Sequence, residues 1–272
     1  MALQFAIYTN DDEAVRGLLN EGADPNYSNK QGLTPLMLAV ECGNPEGAAI
    51  LLDNGADVHA VYVKRGHQTA LHLAAYDSMK ECVRLLLAHG AAVDARDDWQ
   101  STPLIYAARA RFEVVNLLLE NGADIHAEDI RGRSVLVEAG WGGNEATIRT
   151  LLELGAGSHS THLHDAFYAA FSENNHDMAP LFIEGGMPVG LCEAVMLEDK
   201  VWIEKLLIDG VEQNEIDRAL ATAAKYASPE IVRLLLEQGA DANPSLALGQ
   251  TNYNFKHGDK IREVLLQAGT NE

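Results

Sequence analysis

The sequence predicts an all-α fold assembled as a tandem array of short helix pairs, and three observations carry that expectation. The Gly closing each "LLxxG"-like ending recurs at Gly22, Gly55, Gly90, Gly122, Gly155, Gly186, Gly210, Gly239 and Gly269, a spacing near thirty-three residues that shortens toward the C-terminus. Self-similarity at such a period is the signature of repeat architectures. Composition agrees, since 47% of residues are hydrophobic but only 6% aromatic, with Ala and Leu abundant. That balance suits close-packed helices better than a β-sandwich. The third observation is local: "TPLMLAV" (34–40), "TALHLAA" (69–75) and "TPLIYAA" (102–108) each open a short helix. Thr caps the N-terminus and Pro suits the first turn.

A second helix follows in each unit. Its apolar residues fall at helical spacing in "ECVRLLLAHG" (81–90), "FEVVNLLLENG" (112–122) and "PEIVRLLLEQG" (229–239), and it stops at a Gly suited to the left-handed C′ position. Units therefore start near residues 1, 34, 69, 102, 134, 165, 189, 218 and 245, all within one domain over 1–272. The segment from 165 to 210 holds the phase only through "LFIEGG" and "KLLIDG", and the last unit carries an irregular "GQTNYNFKHGDK".

Units of about thirty-three residues reading TPLxxAA and ending in a VxLLLxxGAD-like run resemble the ankyrin repeat. The resemblance spans the whole chain, strongest in the units opening at Thr34, Thr69 and Thr102. It implies an all-α ankyrin-repeat solenoid of stacked helix pairs, with a β-turn finger projecting at each junction. Stacking is also what physics requires, because an isolated helix pair cannot bury its apolar face. In "ENGADIHAEDIRGRSVL" (120–136), Gly122 then ends a helix, 124–133 form the finger and Ser134 caps the next helix. From Gly155 onward the junctions shorten, so fingers are expected in the N-terminal half only.

Charge limits the partners. A formal charge of −20 opposes nucleic-acid binding, which needs a basic face to release phosphate counterions, and accommodates a basic protein more easily. It also keeps a free array soluble and monomeric. Three widely spaced cysteines form no disulfide framework and no zinc pattern. No apolar run reaches transmembrane length, and "MALQFAIYTNDDEAV" lacks a signal-peptide pattern, so a cytoplasmic protein is expected.

No phosphate loop, nucleophile elbow or Cys dyad is present. The nearest approach to catalytic chemistry is "HSTHLHD", which sets His162 and His164 beside Asp165 and partly resembles a metallohydrolase HxHxDH motif, without its closing His. The ordinary reading is a shortened junction entering a helix, with no metal and no cofactor. The aspartates of the Gly-Ala-Asp runs read as turn formers, since none lies in an oxygen-rich calcium loop.

Binding is expected at the surface. In ankyrin proteins the finger tips and the exposed positions of the first helix line a concave face for partners. Matched position by position, that face takes Tyr62, Lys64 and Arg65 from the second finger, Trp99 from the third, and Arg131 and Arg133 from the fourth. The first helices contribute Tyr76, Tyr106, Arg109 and Trp141. Trp, Tyr and Arg dominate binding hot spots because they bury large, fairly rigid surfaces and still hydrogen-bond. The leading expectation is a non-enzymatic module that grips a folded protein as an inhibitor, immunity-type antagonist or adaptor. The alternative is an acidic nucleic-acid mimic or decoy that captures a basic partner on the C-terminal stack. A metal-dependent enzyme at His162 and His164 is the outsider.

Overall fold

The computed structural model describes residues 2–109, 111–241, 250–251, 254 and 257–269. These residues form seventeen α-helices and one two-stranded sheet. The chain divides into two compact units, Met1–Gly186 and Met187–Glu272.

The first unit holds six helix pairs. They are α1 (Ala2–Tyr8) with α2 (Asp12–Asn20), α3 (Pro35–Glu41) with α4 (Pro45–Asp53), and α5 (Ala70–Tyr76) with α6 (Lys80–Ala88). Then come α7 (Pro103–Ala107) with α8 (Phe112–Glu120), α9 (Val135–Gly142) with α10 (Glu145–Glu153), and α11 (Ser160–Ser172) with α12 (Ala179–Glu184). First helices pack on first helices and second on second along the stack, giving two layers with the core between them. Leu36, Leu71, Leu104 and Leu136 enter that core from one layer, and Leu51, Leu86, Leu118 and Leu151 from the other, all buried. One period of the sequence thus becomes one slab of a continuous apolar core.

The local signals act as the repeat requires. Thr34 Oγ1 accepts the Met37 N–H at 3.2 Å, Thr102 Oγ1 that of Ile105 and Ser134 Oγ that of Val137, so each hydroxyl satisfies an otherwise orphaned helix donor. At Thr69 the cap is completed by His72, whose Nδ1 accepts the Thr69 N–H at 3.1 Å while Nε2 lies 3.1 Å from the Ser101 carbonyl oxygen. Burial holds the His72 pKa below its ordinary value despite the neighbouring carbonyls and Asp97, so the ring is neutral and its Nε2–H donates to Ser101. At the other end of the pair, Gly122 takes φ 84°, its N–H bonds Leu119 O and the next N–H bonds Leu118 O. Those two bonds close the helix end in a Schellman motif, a geometry that a Cβ would oppose.

The Gly-Ala-Asp runs are turns. Asp24, Asp57 and Asp124 each accept the N–H two residues on at 2.8–2.9 Å. They are also joined from one repeat to the next: Asn26 Oδ1 accepts the Asp57 N–H at 2.7 Å, and Asp94 Oδ1 accepts the Asp124 N–H at 3.0 Å.

The second unit contains α13 (Leu191–Met196), α14 (Lys200–Asp209), α15 (Gln213–Tyr226), α16 (Pro229–Glu237) and α17 (Gly258–Gly269) around Leu191, Val195, Ile203, Leu220, Val232, Leu235, Ile261 and Leu265. The expected unit start near 245, and residues 249, 252–253 and 255–256 of the irregular insertion, lie outside the described residues.

Two boundaries differ from expectation. Helix α11 begins at Ser160 and α15 at Gln213, five residues before the unit starts read near 165 and 218. Neither junction, 155–159 or 210–212, contains an Asn or Asp to form an Asx turn, so the residues that form fingers elsewhere add helical turns instead. The result is first helices of 13 and 14 residues, against 5 to 8 in α3, α5, α7 and α9. Among the described residues the fingers are confined to the N-terminal part, as expected.

The glycines around Trp141 serve neighbouring backbones. A Cβ at Gly140 would collide with the Ala166 carbonyl of α11, and one at Gly142 would lie 2.8 Å from the Arg109 Cα. Substituting Gly140 by Ala is expected to destabilise the first unit by about 1–2 kcal/mol net, because overpacking against backbone costs up to about 3 kcal/mol and the gain in helix propensity is about 1 kcal/mol. Urea unfolding of Gly140→Ala checks this, and unchanged or raised stability would contradict the close approach of α9 and α11.

Candidate partner-binding groove

Three of the four fingers are built on one template. Asn29, Asp97 and Asp129 occupy the same place, and each Oδ1 accepts the N–H groups two and four residues on: Gln31 and Leu33, Trp99 and Ser101, Arg131 and Arg133, at 2.8–3.1 Å. A backbone bond closes each tip, as from Gln100 N to Asp97 O and from Gly132 N to Asp129 O, both 2.9 Å. The second finger is two residues longer and forms a small hairpin, β1 (Val61–Tyr62) pairing antiparallel with β2 (Gln68–Thr69), Tyr62 opposite Gln68.

The tips are tied together through the backbone. Lys64 N donates to Gln31 O at 3.1 Å, Asp98 N to Gly66 O at 2.9 Å and Ile130 N to Trp99 O at 2.8 Å. Side chains add to this ladder. His67 Nδ1 lies 2.8 Å from Asp98 Oδ1, and Arg96 donates to the carbonyls of Gln100 and Glu128 at 2.6 and 2.7 Å. The surface that the fingers present is therefore set during folding.

Between the tips of fingers two to four and the first helices lies an open groove of about 730 Å³. Lys64, Arg65, Tyr76, Trp99, Tyr106, Arg109, Arg131 and Arg133 all line it, so eight of the ten residues expected to bind a partner meet in one place. Trp141 lines an adjoining cavity of about 400 Å³ that shares Arg131 and Arg133. Tyr62 is a correction, because it is buried, 7% exposed. Within the hairpin its side chain points inward, and it supports the finger from beneath.

The side chains differ in how committed they are. Trp99 is 45% exposed, with its ring against Gly66 of the preceding finger, where a Cβ would meet ring carbons at 2.5–2.7 Å. Folding thus takes one side of the indole and leaves the rest open. Gly66→Ala, which also opposes φ 65°, is expected to displace the ring while retaining it. A red shift in tryptophan emission, with little change in helicity, checks this, and an unshifted spectrum would contradict the stacking. Tyr76 is exposed and packs edge-on to Tyr106, centroids 6.0 Å apart. Tyr106 in turn donates its hydroxyl to Asp97 Oδ2 at 2.7 Å, and burial followed by that carboxylate pushes its pKa well above the ordinary phenol value.

Arg109 and Arg133 are largely engaged with neighbours. Arg109 Nε lies 3.0 Å from Glu138 Oε2, and Arg133 Nη1 lies 3.1 Å from Glu138 Oε1. Arg133 also donates to Asp129 Oδ2 through Nε at 2.7 Å. Both guanidinium groups face the Trp141 ring, at 4.6 and 5.6 Å from its centroid, a cation–π arrangement. Burial raises the Glu138 pKa more than Arg109 and Arg133 lower it, with Asp129 adding to the rise. At Asp129 burial also acts upward, but the bonds from Arg133 and the Arg131 amide together prevail and hold its carboxyl below the usual range. Lys64 and Arg131 are exposed and form no ion pair with described residues.

Sequence reasoning passed over Asp97, Asp129 and Glu138. One signal was available: Glu138 stands where the other copies carry Leu38, Leu73 and Tyr106, a charge at the groove-facing position of a short helix. The "HSTHLHD" run lies in the entry to α11, where His162 Nε2 is 3.0 Å from Glu128 Oε1 of the fourth finger. Among the described residues no three His, Cys, Asp or Glu side chains converge where a metal would sit, and no helix is long and apolar enough to cross a membrane.

Stacked helix pairs with tied β-turn tips and a groove rich in Trp, Tyr and Arg define a repeat scaffold for binding proteins. The chain belongs to the ankyrin repeat family: the profile "Ankyrin repeats (3 copies)" matches residues 1–62 and 60–129, and "Ankyrin repeat" matches 219–246. It is 34% identical over 167 residues to the mouse B-cell lymphoma 3 protein homolog, covering 60% of this chain and 37% of that protein. It is 27% identical over 257 residues to the Arabidopsis thaliana E3 ubiquitin-protein ligase KEG, 89% of this chain and 15% of that one. With the Drosophila melanogaster ankyrin repeat and KH domain-containing protein mask, identity is 39% over 103 residues, 38% of this chain and 3% of that protein. The chain thus spans little more than a third of these relatives at most. Family and relatives make it a protein–protein interaction module.

Proposed function

We propose that the chain is a non-enzymatic binding module that grips a folded protein through the groove over fingers two to four and acts by occupying it, as an inhibitor, an immunity-type antagonist or an adaptor. One observation carries this reading: Tyr76, Trp99 and Ile130 stay 60%, 45% and 66% exposed around a single groove whose tips are locked by the finger ladder. Large apolar side chains held rigidly at a rim lose little entropy on binding, and clustered exposure of this kind marks an interaction site. In this reading Lys64, Arg65, Tyr76, Trp99 and Arg131 touch the partner, while Tyr106, Arg109, Arg133 and Trp141 form the wall behind them. The array works as one repeat domain over 1–272, monomeric when free, cytoplasmic, without cofactor and without direct contact to nucleic acid.

A second reading has its own support, since Glu198, Asp199 and Glu212 are exposed in the second unit and could capture a basic partner. Affinity capture with the wild-type chain and with Trp99→Ala and Arg131→Ala as baits separates the two. The groove reading expects a partner held by the wild type and lost from both variants. A protein held equally by all three and released by moderate salt supports the acidic surface instead, because screening weakens exposed charge pairs.

A further inference from the structure

Building on the groove reading, we infer that the groove receives an acidic segment of its partner, one in which carboxylates flank an apolar side chain. The chain carries a net charge of −20, yet the groove is lined by Lys64, Arg65, Arg109, Arg131 and Arg133 against two carboxylates, Asp129 and Glu138. Both carboxylates are turned inward, with side chains 1% and 8% exposed, and both are held by arginines. Arg65 meets Glu41 at 3.4 Å. What the groove offers to solvent is therefore cationic within an acidic molecule. A field of that kind orients an anionic partner locally, while beyond a Debye length the surrounding charge is screened.

The arrangement also distinguishes among anions. Lys64 and Arg131, exposed and without an ion pair among the described residues, stand on fingers two and four. Trp99 stands on finger three between them, and Ile130, next to Arg131, is joined to it through the Trp99 O to Ile130 N bond. Two separated cations bracketing an apolar surface fit two separated carboxylates bracketing an apolar residue. A phosphate would call for converging arginine forks with free donors, whereas those of Arg109 and Arg133 are engaged by Glu138 and Asp129. A nucleic acid would extend its charge past the groove onto the acidic exterior.

The test is selection of a random peptide display library on the immobilised full chain, followed by fluorescence anisotropy with a selected peptide. Enriched sequences should carry Asp or Glu on both sides of Leu, Phe or Trp. Replacing those acids by Asn and Gln should weaken binding about tenfold or more, and Lys64→Glu with Arg131→Glu should do the same at unchanged circular dichroism. Enrichment of neutral or basic sequences, no enrichment over background, equal binding of the amide peptide, tighter binding of a phosphoserine counterpart, or displacement by oligo(dT) would each overturn the inference. Neutral sequences that are still lost on Trp99→Ala overturn only the acidic specificity. Sequences indifferent to every groove variant overturn the groove reading as well.

Discussion

Asp129→Ala is expected to destabilise the first unit by roughly 2–3 kcal/mol, between the cost of orphaned hydrogen-bond donors and that of breaking a buried ion pair. The carboxylate is buried and takes the N–H groups of Arg131 and Arg133 on one oxygen and the Arg133 guanidinium on the other. Removing it opens the fourth finger and frees Arg133, which then bears on Glu138 alone. The cost stays below that of a fully buried pair because the Arg133 side chain is 35% exposed and can turn to water. Denaturant unfolding measures the loss, and a loss under about 0.5 kcal/mol, the size of an ordinary surface substitution, would show that the tip stands without its Asx turn.

The same pair of acids sets a pH signature. Asp129 has a folded pKa below its unfolded value, so its contribution is present above about pH 4 and is lost as pH falls through the folded value. Glu138 has a raised folded pKa, so its contribution is present below the unfolded value and is lost as pH rises through the folded one. Acidification from neutrality should thus first relieve Glu138 and then cost Asp129. In stability measured against pH, Glu138→Gln should lack the early gain and Asp129→Asn the later fall. Identical profiles for the two variants would refute this assignment.

Trp99→Ala is expected to weaken partner binding by about 2 kcal/mol, on the order of thirtyfold, as for a central aromatic hot spot. Its exposed face stands between Lys64 and Arg131, and the finger ladder fixes its backbone on both sides. Trp141→Ala should cost nearer 1 kcal/mol, because that ring serves mainly as a platform for Arg109 and Arg133 and contacts the partner less. Calorimetric titration of a captured partner against both variants checks the order. A larger loss at Trp141 would move the centre of the interface from the finger tips to the α9 wall.

The order in which side chains are used was only partly legible in the sequence. Position in the repeat placed Trp99, Tyr76 and Arg131 at the rim, and the structure gathers them there. The same reasoning placed Tyr62 beside them, but the longer second finger folds as a hairpin whose alternation turns Tyr62 inward. It also placed Arg109 and Arg133 on that face without Glu138, since a one-dimensional repeat pattern does not show that Glu138, five residues past Arg133 and one repeat beyond Arg109, meets both. Asp97 and Asp129 were passed over, yet each closes a finger, and the first also anchors Tyr106 and the second Arg133.

By itself, the sequence determined the period, the helix pairs, their caps and the family, because these depend on interactions within one repeat or between identical neighbours. Thr34, Gly122 and Asp124 act over a few residues, so their meaning survives in a string of letters. Only tertiary structure decided which cations remain free, which rings are half covered, and how α11 and α15 absorb the missing fingers. Those outcomes depend on pairs such as Arg109 with Glu138, Trp99 with Gly66 and Glu128 with His162, about thirty residues apart, where one repeat comes to rest on the next.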